Sequence, residues 1–209
     1  MTDNLSSSFK KTILKSDLSL VIQNAGEIGF DSLLDNGVLK DIPLLNTLFS
    51  LGKTVSNVRD YFFAKKILVF LESISNLSET ERNKLVAKLD ADEKFGRYAG
   101  EQLIELLSRI DSEKKAVLAA SALKLYACDR VTSSQLQRIN NAIDRFMLCD
   151  LNELRSFCAV NGGQQTDGNP ITANFINAGL AYVSSGLGGG TYPNETAHLF
   201  LQVIDERRQ

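Results

Sequence analysis

The residues with the most evident chemical potential are glycines: Gly186-Leu187-Gly188-Gly189-Gly190, inside "GLAYVSSGLGGGTYPNETAHLF", Gly179 to Phe200. Glycine lets backbone N–H groups approach an anion, which is how phosphate cradles work. A P-loop requires a lysine after its second glycine, and no lysine occurs from Gly163 onward. A dinucleotide fingerprint requires glycine where this chain has Thr191, and Pro193 delays the helix that would face the phosphate. The run therefore reads as the tip of a hairpin wing, with Leu187, Gly188, Gly189 and Tyr192 as its contact residues.

Other candidate sets fail at nameable positions. Asp90 to Glu101 carries acids at positions 1, 3 and 12 of a calcium loop, but Lys94 and Phe95 stand where an oxygen ligand and a glycine belong. His198 is the single histidine; with Cys149 and Cys158 it lacks zinc spacing, and it has no assembled nucleophile and orienting acid. No catalytic residue, no cofactor and no metal site is expected. Cys128, Cys149 and Cys158 form no C-x-x-C pair, which suits a reducing compartment and buried thiols.

A basic cluster remains: Lys53, Arg59, Lys65 and Lys66, flanked by the apolar runs Ile42 to Gly52 and Tyr61 to Leu71. Two readings stay open. The cluster could meet anionic lipid or a phosphate-rich ligand, or the runs could build the core while the lysines reach its edge. Neither run has the length of a membrane span.

The elements that must position these residues are mostly helical, because apolar residues recur at three and four. Phe9, Ile13, Leu18, Val21 and Ile22 share a face, and Tyr61 to Ile74 is the candidate central helix. Ser78 with Glu81, and Thr132 with Gln135, fit capping boxes that open further helices. The expected fold class is mainly α: a helical bundle over 1–148, then a small winged-helix-like α+β domain over 149–209. In the latter, Asn169-Pro170 opens a helix, "LAYVSSG" and "TY" are strands, and Asn194 to Glu206 is the last helix.

Residues 175–204, "FINAGLAYVSSGLGGGTYPNETAHLFLQVI", resemble the ending of winged-helix domains, in which a helix closes on a glycine turn and two strands flank a wing. That resemblance implies a recognition helix at Pro170 to Ala178, which carries Asn174 and Asn177 but no Lys or Arg, so nucleic acid is not the expected partner. The segment from "DNGVLKDIPLLNTLFSLGK" to "ERNKLVAKL", within residues 35–148, resembles a group of uncharacterised bacterial proteins and the abortive-infection type of helical phage-defence protein. It implies a setting and no mechanism.

A formal net charge of -2 gives no overall field toward nucleic acid or lipid. The mixed charges of the N-terminal stretch do not read as a secretory signal. The expectation is a cytoplasmic, non-enzymatic bacterial protein that works by contact with a protein partner or as a homo-oligomer. A membrane-acting effector using residues 42–71, peripheral to the inner membrane, and a DNA-binding regulator are the alternatives.

Overall fold

A computed structural model of the chain describes residues 5–20, 22, 41–50, 58–159, 170–185 and 189–206. It is mainly helical, with a small two-stranded antiparallel sheet near the C-terminal end. Two compact units divide it, Met1–Arg130 and Val131–Gln209. The boundary expected after residue 148 falls inside the second unit, because the helix Ser133–Arg145 packs on the last helix of the chain.

The first unit contains α1 (Leu5–Leu14), α2 (Pro43–Ser50), α3 (Val58–Ser75), α4 (Glu79–Ala91), α5 (Ala99–Arg109) and α6 (Glu113–Ala127). α3 packs chiefly against α6, and Ala64, Ile67, Phe70, Leu71 and Ile74 are buried, so the expected central helix is a core helix. Ile42, Leu44, Leu45 and Leu48 are buried as well. The capping box at Ser78 and Glu81 closes in both directions, with Ser78 N–H donating to Glu81 Oε2 at 2.8 Å and Glu81 N–H donating to Ser78 Oγ at 3.3 Å. Among the described residues no helix is long and apolar enough to cross a membrane.

α1 is unusual in what it buries: Ser6, Ser8 and Thr12 beside Phe9 and Ile13. A buried hydroxyl without a partner costs free energy, and each of these has one. Ser6 Oγ accepts from Gly100 N–H at 2.9 Å and donates to Glu101 Oε2 at 2.5 Å. It thus caps the start of α5, whose own flanking residue Tyr98 makes no side-chain cap. Thr12 Oγ1 accepts from Leu44 N–H at 2.9 Å at the start of α2, and Ser8 Oγ bonds Thr47 Oγ1 at 2.6 Å. The approach to α5 needs glycine, since a Cβ at Gly100 would lie 2.5 Å from the backbone of Leu5.

Basic side chains serve the opposite helix ends, where free carbonyls and the negative end of the helix dipole favour a cation. Arg82 of α4 donates to the Lys15 carbonyl at 2.8 Å just beyond α1. Lys88 donates to the Tyr126 carbonyl at 2.6 Å near the end of α6, 4.2 Å from the centre of the Tyr126 ring, and also pairs with Asp129. Burial, with the Asp92 and Asp129 charges adding to it, pushes the Tyr126 hydroxyl up to about 12.

The second unit contains α7 (Ser133–Arg145), a 3-10 turn (Leu148–Asp150), α8 (Leu151–Ala159), α9 (Pro170–Asn177), β1 (Ala181–Ser184), β2 (Gly190–Pro193) and α10 (Glu195–Glu206). Its core is a phenylalanine cluster: Phe146 meets Phe200 edge-on at 5.1 Å and Phe175 at 6.2 Å, and Phe157 meets Phe175 at 5.3 Å. Four elements are thereby joined through rings that are all buried. The Thr132 and Gln135 box also closes, and Gln135 Nε2 donates to Glu195 Oε1 at 2.6 Å, joining the starts of α7 and α10. Asn169, expected to open α9, lies outside the described residues.

Thr12→Val keeps the shape of the side chain and removes the acceptor for Leu44 N–H. Urea unfolding should show a loss of about 1–3 kcal/mol, whereas Thr80→Val, exposed in α4, should stay within about 0.5 kcal/mol.

Candidate functional site

The hairpin near the C-terminal end is built from its base upward. α9 ends in a Schellman arrangement: Leu180 N–H donates to the Phe175 carbonyl at 2.8 Å and Gly179 N–H to the Ile176 carbonyl at 2.9 Å. Gly179 stands at the left-handed position with φ 73°, where a side chain is strained. The chain then enters β1, which pairs antiparallel with β2 in the register Ala181 with Pro193, Tyr182 with Tyr192, Val183 with Thr191 and Ser184 with Gly190. Asn194 ties the base together, donating from Nδ2 to the Gly179 carbonyl at 2.9 Å and accepting the Ala197 N–H on Oδ1 at 3.1 Å as the cap of α10.

Successive side chains of the hairpin point to opposite faces, and β1 reaches solvent on both of them, at Tyr182 and Val183. Ala181 and Thr191 are buried, while Tyr182 is 52% exposed and its ring stacks on Tyr192 with centroids 5.8 Å apart. Val183 is 60% exposed. The chain carries no charged residue between Asp167 and Glu195, so α9 and the hairpin lie in an uncharged stretch. Of the expected wing contacts, Tyr192 and Gly189 are described, and Leu187 and Gly188 lie outside the described residues. Tyr182 was not among them; its place opposite Tyr192 is set by the register of β1 with β2.

The basic cluster does something different from what its composition suggests. Lys66, expected as a ligand or membrane contact, is 9% exposed, and its Nζ donates to the Ile110 carbonyl at 2.6 Å, at the end of α5. Its neighbour Lys65 pairs with Glu113 at 2.8 Å in the first turn of α6, and that carboxylate raises the Lys65 pKa. The two lysines therefore clamp the α5–α6 connection from α3. Arg59 is exposed one to two turns earlier on α3, and Lys53 lies outside the described residues.

The thiols also depart from expectation. Cys128 and Cys149 are exposed and Cys158 is half-buried, all three unpaired. Burial raises the Cys158 thiol, and the adjoining Asp150 carboxylate raises that of Cys149, which works against thiolate chemistry. His198 is exposed on α10. Among the described residues no three His, Cys, Asp or Glu side chains gather as a metal-binding group.

No protein-family model, no curated protein and no solved structure matches the chain.

Burial holds the Lys66 ammonium below the ordinary lysine value of 10.5, with the Asp111 carboxylate opposing and the Arg59 charge adding to that shift. The unfolded chain then binds this proton more tightly than the folded one, so folding carries a penalty below the folded-state pKa that vanishes as pH rises toward 10.5. Urea unfolding of the wild type and Lys66→Met over a pH series should show wild-type stability gaining on the variant as pH rises through that interval. A difference independent of pH would contradict the assignment.

Proposed function

We propose that the chain is an interaction protein that acts by contact and not by catalysis, through a second unit of winged-helix type whose wing pairs with that of a second copy. The order of this unit, three helices, a strand, a glycine turn, a strand and a helix, supports the winged-helix reading. The observation that carries the proposal is the uncharged, tyrosine-faced hairpin, with Tyr182 and Val183 both more than half exposed.

A surface that grips a phosphate backbone needs cations, and α9 with its wing offers none. Aromatic and β-branched side chains free of charge suit a protein interface. β1 adds a backbone argument. It ends the two-strand order β1-β2, and "AYVS" holds no lysine, proline or inward charge of the kind that blunts an edge strand. Antiparallel pairing of one strand with its own copy satisfies two-fold symmetry, because each residue that contacts a partner residue is contacted by it in turn. The resemblance of residues 35–148 to abortive-infection proteins adds phage defence as the setting of this proposal.

Sedimentation over a concentration series tests it. The wild type should rise from its monomer mass of 23.0 kDa toward twice that value. Tyr182→Glu and Val183→Lys should each remain monomeric while unfolding at the wild-type temperature, since neither side chain is in the core. A wild type that stays monomeric at every concentration refutes the self-association.

A further inference from the structure

At the base of the second unit, α7, the Gly179 turn and the start of α10 enclose an open hollow of about 470 Å³, a volume within the range of small-ligand pockets. Polar groups and aliphatic surface both line it, from Gln137, Arg138 and Asn141 on one face of α7, Gly179 of the turn, and Asn194 and Thr196 at the start of α10. We propose that this hollow binds a small ligand bearing an oxyanion, carboxylate or phosphate, on a polar body of metabolite size. The proposal does not depend on the wing contact.

Four observations converge on it. Arg138 has no carboxylate or other hydrogen-bond partner among the described residues, so its fork of donors is available to an oxyanion. Thr196 is only 5% exposed, lines the hollow, and its hydroxyl has no partner among the described residues. Its oxygen is not sealed off, so a ligand lying in the hollow can bond it in place of water.

The third observation is the start of α10, where the first N–H groups of the helix and the positive end of its dipole favour negative charge. The carboxylate at that start, Glu195, is engaged by Gln135 Nε2 at 2.6 Å. Asn194 is committed as well, to the Gly179 carbonyl and to capping. The fourth is the pair Gln137 and Asn141, one helical turn apart, whose amides make no hydrogen bond within the described structure. Each offers both donor and acceptor, so together they can read the polar body to which the oxyanion is attached.

The sequence signal for this site is the polar run Ser134, Gln137, Arg138 and Asn141, at helical spacing on the face of α7 opposite Leu136, Ile139 and Ile143. Alone it is an ordinary solvated face. Only the fold brings Thr196 and the Gly179 turn against it.

The test is a two-dimensional amide NMR titration of the full chain with inorganic phosphate, with glutamate and with adenosine monophosphate, each against sodium chloride at matched ionic strength. Saturable shifts confined to the amides of Gly179, Asn194 and Thr196 and the side chain of Asn141 are expected with at least one oxyanion, and the tightest of the three identifies its source. Arg138→Gln should weaken that binding at least about tenfold, as for a lost charge-assisted hydrogen bond. Asn141→Leu should weaken glutamate or the nucleotide more than inorganic phosphate. Both variants should keep the wild-type unfolding temperature. No saturable shift with any of the three, shifts reproduced by chloride, or undiminished binding in Arg138→Gln would each overturn the proposal.

Discussion

The first unit depends on one constraint, that helix ends leave backbone groups without partners and that these must be satisfied wherever the ends are buried. Here much of that satisfaction comes from other helices. Ser6 and Thr12 of α1 cap the starts of α5 and α2, Arg82 of α4 binds carbonyls at the end of α1, Lys66 of α3 the end of α5, and Lys88 of α4 the end of α6. The caps thus act as tertiary contacts. Each fixes an angle and a register between two helices, which apolar packing alone specifies less sharply.

The same constraint decides what the cations of this unit can do. An ammonium spent on the Ile110 carbonyl is unavailable to a headgroup, and its burial is tolerated because a carbonyl at a helix end supplies a directed acceptor. The second unit solves its helix ends locally, by the Thr132 box, the Asn194 cap and the Schellman turn at Gly179. Arg138 and the Gln137 and Asn141 amides of α7 make no hydrogen bond among the described residues, and the hairpin keeps Tyr182 outward.

What could be read from the sequence follows the same division between local and distant. Both capping boxes were legible because both partners lie three residues apart. The core character of Tyr61 to Ile74 and the strand, turn and strand near the end were legible from periodicity. Ser6, Thr12, Arg82 and Lys66 were not, since their partners lie tens of residues away and nothing in local spacing marks a serine as a cap for another helix. The expected boundary follows the change of composition near residue 150, whereas the division by contacts falls after Arg130, with Phe146 at the end of α7 packed on Phe175 and Phe200. The cysteines looked like core residues by type, yet Cys128 and Cys149 are exposed and Cys158 is half-buried, which residue type alone does not decide.

The contact of Ser6 with Gly100 and Glu101 spans some 95 positions of the chain. During synthesis the Ser6 hydroxyl of α1 therefore exists long before the helix start it serves, and water must occupy it in the meantime. Closing so long a loop costs entropy that is recovered only when α5 arrives, and contacts of this sequence separation are the ones that slow folding. The first unit has, in this sense, a clasp whose two halves are made far apart in time, and the Ser6 half stays open until the chain has passed residue 101.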